Sequence, residues 1–125
     1  MNTPNEIEQE IQAKGLTAPR VTPQMIEDAI ASEAYINAQE AIEETDPHHS
    51  LAWDENSPLH RLTICFLVLK NGFVVTGESA SVSAENFDAE IGRKAARQNA
   101  VDKIWPLEGY LLKEKMAFVG VAGRV

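Results

Sequence analysis

The stretch Leu62-Thr63-Ile64-Cys65-Phe66-Leu67-Val68-Leu69, with Phe73-Val74-Val75-Thr76 just after it, decides the fold of this 125-residue chain. Both runs are rich in β-branched and aromatic residues, a composition typical of β-strands. Asn71 and Gly72 lie between them and tolerate the positive φ angles of a two-residue turn. The sequence therefore predicts a tight antiparallel hairpin in which Leu69 lies opposite Val74.

Both faces of this hairpin are apolar. One face of the first strand carries Ile64, Phe66 and Val68, and the other carries Cys65, Leu67 and Leu69. A two-stranded hairpin is marginal in water and cannot bury two apolar faces by itself. We therefore expect helices on one side of it, and a partner subunit or a third strand to complete its burial.

Helical spacing of apolar residues flanks the hairpin and predicts helices over about 22–41, 84–105 and 107–116. Thr22 caps the first helix, and Pro106 ends the second. The expected fold is α+β: an N-terminal helix and an antiparallel β-hairpin, open to a further strand, packed on two C-terminal helices. We expect a single domain over residues 1–125. Its less regular parts are an arm or short helix over 1–20, an acidic loop over 43–60 and a tail over 117–125.

The charge of the chain is divided unevenly. The net charge is −8, but residues 1–60 carry 12 acidic and two basic residues, whereas residues 61–125 carry seven acidic and nine basic residues. Long nucleic acids need an extended basic surface, so they are not expected as partners. No apolar run is long enough for a membrane span, and a single cysteine fits a reducing cytosol. Any site for a small anion should lie in the second half of the chain.

The second half offers few candidate functional residues. Arg93 and Arg97 lie one helical turn apart and could clamp a phosphate pair, although such a pair also occurs on solvated helix faces beside carboxylates. Phe87, at the start of the long helix, could stack on a base or simply fill the core.

His48 and His49 lack the spacing of metal ligands, so no metal site is expected. No catalytic constellation is present, and we expect no enzyme activity and no cofactor.

An ordered series of motifs resembles one family of small phage proteins. It includes Leu62–Cys65, Leu69–Phe73, Thr76–Ser79, Asn86–Asp88, Ala96–Ala100 and Lys103–Leu112. The family includes the first described Thoeris anti-defence proteins, and the resemblance covers about residues 18–116. The acidic loop over 43–60 is where the chain is least similar to the family, in which a shorter connection is expected.

The resemblance implies a function and a set of partners. Characterised members bind glyco-cyclic ADP-ribose isomers, the messengers made by bacterial TIR-domain proteins, without cleaving them. Some also hold cyclic oligonucleotide messengers of CBASS defence at a separate site. They are homo-oligomers, dimers or hexamers, with ligand sites at subunit interfaces. A phage protein of this kind would act in the host cytoplasm.

A messenger-binding protein of this type needs an aromatic ring for adenine and cations for the pyrophosphate. The candidate ligand-binding residues are Phe87, Phe73 and Trp105 for stacking, Arg93, Arg97 and Lys103 for phosphate, and Asn99 for a ribose or base edge. Two alternatives remain open at this point. One is a small nucleotide-processing enzyme, and the other is an acidic interaction protein that binds a host protein through residues 1–60.

Overall fold

A computed structural model describes residues 3–16 and 18–122 of the chain, with side chains as far as residue 119. The chain divides into two compact units, one made of residues 30–102 and one made of the residues before Ile30 and after Asp102. The predicted α+β class is confirmed: helices flank an antiparallel sheet that has three strands.

The 30–102 unit is built on that sheet. Its strands are β1 (Ile30–Asn37), β2 (Leu62–Leu69) and β3 (Val74–Ala80), in the order β1-β2-β3 with β2 central. Along β2 the burial alternates strictly, because successive side chains point to opposite faces. Thr63, Cys65, Leu67 and Leu69 are buried, and the residues between them are half-buried. The predicted two faces of this strand are therefore confirmed.

The predicted hairpin forms, but its register is one residue different from the prediction. Val74 pairs with Val68, and the Leu69 amide donates to the Phe73 carbonyl oxygen at 2.8 Å. The loop has three residues, and Gly72 takes a φ of 88° at its end. A three-residue loop that ends in a left-handed glycine shifts the pairing by one relative to a two-residue turn. The shift places Val75 and Gly77 on the buried face with Cys65 and Leu67.

The first predicted helix, over about 22–41, is wrong in its middle, where residues 30–37 form a strand. Helix α2 spans only Pro23–Ala29, β1 follows at once, and α3 takes Ala38–Thr45. The segment of β1, with two alanines and one glutamate, favours a helix by local propensity. Pairing with the whole length of β2 overrides that preference, with Tyr35 opposite Cys65 in register.

Helix α4 (Ala89–Asp102) packs on the buried face of the sheet. A short 3-10 turn (Ala84–Asn86) precedes it, so α4 begins five residues later than predicted. Ala96 and Ala100 are fully buried and lie against Gly77 of β3. These small residues let the backbone of α4 approach the backbone of β3 closely at Gly77.

The other unit contains α1 (Pro4–Ala13), α2 and α5 (Ile104–Ala122). Within residues 1–20, predicted to be an arm or a short helix, α1 takes ten residues and begins with Thr3 and Glu6 in a reciprocal capping box. Its Glu8 forms a two-pronged ion pair with Arg20, one N–O distance being 2.7 Å. Helix α5 includes Trp105 and Pro106, so the break between the two C-terminal helices falls at Lys103 rather than at the proline.

The predicted tail is helical where it is described, because α5 continues to Ala122. The end of that tail, residues 123–125, lies outside the described residues, as do Met1 and Asn2 of the predicted arm. Within the described ranges, no helix combines the length and the hydropathy that a bilayer crossing requires.

Candidate functional site

A cavity of about 230 Å³ opens at one end of the sheet in the 30–102 unit. Its walls come from the last residues of β3 and the segment after it, from the residue before β2 and from the start of α4. The lining residues are Arg61, Ser79, Ala80, Ser81, Asn86, Phe87, Asp88, Ile91 and Gly92. An aromatic ring, a guanidinium and several small polar groups therefore share one concave surface.

Phe87 is positioned by the turn that starts α4. Its amide donates to the Ala84 carbonyl oxygen at 3.2 Å, which closes the 3-10 turn. Asp88 then caps the helix, because its carboxylate accepts from the Ile91 amide at 2.9 Å. The half-buried ring of Phe87 is thus fixed at the amino end of a 14-residue helix, where first-turn amides favour negative charge.

Gly92 lies between the Phe87 ring and Thr63 of the sheet. A Cβ atom at this position would lie 3.0 Å from the Thr63 hydroxyl oxygen and 3.7 Å from the Phe87 ring. The glycine therefore allows the ring to lie close to the sheet. Any side chain here would occupy space between Phe87 and Thr63.

Arg61 is a cavity residue that the sequence analysis missed. It ends the 3-10 helix Pro58–Arg61, directly before β2, and it is half-buried. Its Nε donates to the Ser81 carbonyl oxygen at 3.2 Å, which joins the two sides of the cavity and fixes the guanidinium plane. A signal was present: Arg61 is the first basic residue after forty positions, Val21 to His60, that contain no Lys or Arg.

Of the predicted ligand-binding residues, the structure places Phe87 in the cavity wall and the exposed Arg93 directly after its lining residue Gly92. Phe73 is 53% exposed at the tip of the hairpin. The Asn99 side-chain amide donates to the Glu78 carbonyl oxygen at 2.7 Å. Neither residue is among those that line the cavity.

Arg97 faces the β1 side of the sheet instead. Its Nε lies 3.3 Å from a carboxylate oxygen of Glu33. Arg97 therefore forms the kind of ion pair with a carboxylate that the sequence allowed beside the phosphate clamp. The Tyr35 hydroxyl donates to the same carboxylate at 2.5 Å. This hydrogen bond, together with Arg97, holds the pKa of Glu33 below its ordinary value. Glu33 and Arg97 therefore form part of the framework around the sheet.

Lys103 and Trp105 belong to the other unit. Trp105 lines an apolar cavity of about 260 Å³ together with Pro4, Ile7, Glu8, Ile11, Val21 and Pro23. Helix α1 supplies most of that lining. Within its own unit, Trp105 therefore shares an apolar cavity with Ile7 and Ile11 of α1.

The thiol of Cys65 is the one sulfur nucleophile in the sequence. Cys65 is fully buried, and burial raises the pKa of its thiol above the ordinary value, which disfavours the reactive thiolate. Over residues 3–16 and 18–122, no three His, Cys, Asp or Glu side chains cluster as a metal site would require. The cavity instead offers a ring for stacking and an arginine for an anion.

The family model of the phage protein (N4 Gp49/phage Sf6 gene 66) family matches residues 21–116, more than three-quarters of the chain. The protein belongs to this phage protein family. The matched region includes the whole sheet, α4 and every residue that lines the Phe87 cavity, whereas α1 precedes it. No curated protein and no solved structure matches the chain.

Proposed function

We propose that this phage protein binds cyclic nucleotide immune messengers and sequesters them without cleaving them. The ligands would be glyco-cyclic ADP-ribose isomers and, at a further site, cyclic oligonucleotides, so that Thoeris and CBASS signalling is blocked in the host cytoplasm. The observation that carries the proposal is the cavity in which Phe87 and Arg61 line one wall surface at the start of α4.

Each part of such a ligand has a matching group in the cavity. The Phe87 ring can stack on adenine, a contact worth about 1–3 kcal/mol per base. The Arg61 guanidinium can donate to phosphate oxygens, whereas the amino end of α4 is already capped by the Asp88 carboxylate. The Asn86 side chain and the hydroxyls of Ser79 and Ser81 are suited to ribose or base edges.

Sequestration requires no reacting group, and this agrees with the surroundings of Cys65. Its buried thiol is poorly suited to attack a bound ligand. A messenger held in the cavity would therefore stay intact. The protein would act by stoichiometric binding, and its effect would scale with its concentration relative to the messenger.

Two observations support a homo-oligomer, a dimer or a hexamer built from dimers. The cavity of about 230 Å³ is smaller than the roughly 300–1,000 Å³ of typical ligand sites, so one chain would enclose only part of a dinucleotide-sized messenger. In addition, the sheet face opposite α4 carries half-buried Ile64, Phe66 and Val68, and beside them Val74 is 49% exposed. A second copy could cover this face.

Isothermal calorimetry with a panel of cyclic ADP-ribose isomers and cyclic oligonucleotides tests the proposal. We expect tight binding of at least one isomer by the wild type. Arg61→Ala should weaken it about tenfold to a hundredfold, the usual effect of losing a hydrogen bond to a charged group. Lys94→Ala is the matched control, because Lys94 is an exposed cation on α4 that pairs with Glu90 outside the cavity. Equal loss in both variants, or no binding by the wild type, would contradict the proposal.

A further inference from the structure

Trp53 is a large aromatic residue presented on the surface of the 30–102 unit. Its side chain is 69% exposed, and its backbone takes a φ of 66°, a conformation that non-glycine residues seldom adopt. It lies between α3 and the 3-10 helix Pro58–Arg61, in the acidic segment over 43–60. The Phe87 cavity does not include it.

The indole is held in place rather than loosely attached. Its Nε1 donates to the Pro47 carbonyl oxygen at 3.2 Å, and the Trp53 backbone amide donates to Glu43 Oε2 at 2.9 Å. Glu43 is in turn held by the buried Gln39, whose amide nitrogen donates to the same carboxylate oxygen at 2.8 Å and to the Leu51 carbonyl oxygen at 2.8 Å. A ring fixed in this way loses little conformational freedom when a partner binds.

The acidic residues near Trp53 favour a positively charged partner. Residues 21–60 contain nine Asp and Glu and no Lys or Arg. Close to Trp53 in sequence, the carboxylates of Glu44, Asp46 and Glu55 are exposed. Such a surface repels phosphates, and it also repels an identical copy of itself. It attracts cations, and tryptophan is the best aromatic acceptor for a cation above its ring.

We propose that Trp53, with Glu44, Asp46 and Glu55, forms an interaction surface for a protein partner that presents an arginine or lysine side chain. The cation stacks on the indole while the surrounding carboxylates pair with neighbouring basic residues of the partner. This surface is separate from the Phe87 cavity and does not depend on messenger binding. The protein thus has a second binding function, directed at a basic protein.

A fluorescently labelled peptide of alternating arginine and glycine serves as the probe, measured by anisotropy at low and moderate salt. The wild type should bind it, and Trp53→Ala should weaken binding about fivefold or more, the range of a partly desolvated cation–π contact. Trp53→Phe should lose less, because it retains an aromatic face. Tyr110→Ala removes an equally exposed aromatic ring from α5 and should leave the affinity unchanged.

Three results would overturn the inference. The wild type could fail to bind the peptide even at low salt, or Trp53→Ala could bind it as tightly as the wild type does. The third result is that a single-stranded DNA oligonucleotide binds more tightly than the peptide and that its binding requires Trp53. That result would assign the ring to base stacking. Circular dichroism of Trp53→Ala should match that of the wild type, and the smaller loss in Trp53→Phe separates the ring's role from that of the loop.

Discussion

Arg97 shows how far a single residue can be interpreted from sequence. Its position one turn after Arg93 was compatible with a phosphate clamp and with a surface ion pair. The structure pairs Arg97 with Glu33, which is 64 positions away in sequence and reaches Arg97 through the pairing of β1 with β2. The sequence showed Phe87 as a candidate, but the cavity residue Arg61 depends on the same long-range packing and could not be found from local spacing.

The Glu33 carboxylate should make the stability of the protein depend on pH. Hydrogen bonding from Tyr35 and the charge of Arg97 lower its pKa in the folded state. Its stabilising effect is therefore present above the unfolded-state pKa, which is about 4.3 for glutamate, and is lost as the pH falls through the lower folded value. Since the carboxylate is partly exposed, we expect about 1 kcal/mol or less.

Urea unfolding of the wild type and of Glu33→Gln, at several pH values between about 3 and about 7, measures this effect. The difference in unfolding free energy should be largest at neutral pH and should shrink in acid. Glu90→Gln is the control, because Glu90 forms only an exposed pair with Lys94 on the surface of α4. A difference that stays constant across the range would rule out the ionised carboxylate as its source.

At the scale of elements, composition and turn residues predicted β2 and β3, while the partners of β2 were harder to foresee. The strand β1 has a helix-favouring composition, and nothing local indicates that it pairs along the central strand. The hairpin register depended on whether Gly72 ended a two-residue or a three-residue loop, and the sequence Asn71-Gly72 allows both. That one-residue difference decides which residues of β3 face α4.

Gly77 is the residue on which the contact between β3 and α4 depends. A Cβ atom there would lie well within 3.0 Å of the Ala96 carbonyl oxygen and the Ala100 amide nitrogen. Both are backbone atoms, so the helix would have to move away from the sheet. Gly77→Ala should therefore destabilise the protein by about 2 kcal/mol or more, as overpacking in a tight core does.

Thermal and chemical unfolding measure this effect, and Gly109→Ala is the matched control. Gly109 lies inside α5, and an added Cβ there meets no atom within 4 Å. That variant should gain about 0.5–1 kcal/mol, since alanine favours a helix over glycine. If the two variants changed stability in the same direction, the close approach at Gly77 would not be the deciding factor.

At the scale of the whole molecule, the uneven charge and the two-faced sheet were both visible in the sequence. The net charge of −8 combines an acidic first half with a slightly basic second half. The residues that line the Phe87 cavity all lie between Arg61 and Gly92, in the second half of the chain, where the sequence predicts any anion site. Helix α4 packs on one face of the sheet, and β1 extends the sheet beside β2. On the other face Ile64, Phe66 and Val68 are half-buried.

The proposed oligomer should depend on that second face. Wild-type protein should have a solution mass of at least twice 13.8 kDa by light scattering. Phe66→Lys should shift it to the mass of one chain, because a charge in the centre of an apolar interface is poorly tolerated. Leu16→Lys, at an exposed leucine outside the sheet, should assemble as the wild type does. A single-chain mass for the wild type at high concentration would argue against this interface.

The proposed function requires that the protein holds a messenger and leaves it chemically intact. Purified protein is incubated with the cyclic ADP-ribose isomer that it binds, freed of unbound ligand, heated until it denatures, and the released molecule is identified by mass spectrometry. We predict that the unchanged messenger is recovered, in an amount equal to the amount of binding sites. Recovery of a cleaved product would instead indicate an enzyme, and the absence of retained ligand would contradict the account altogether.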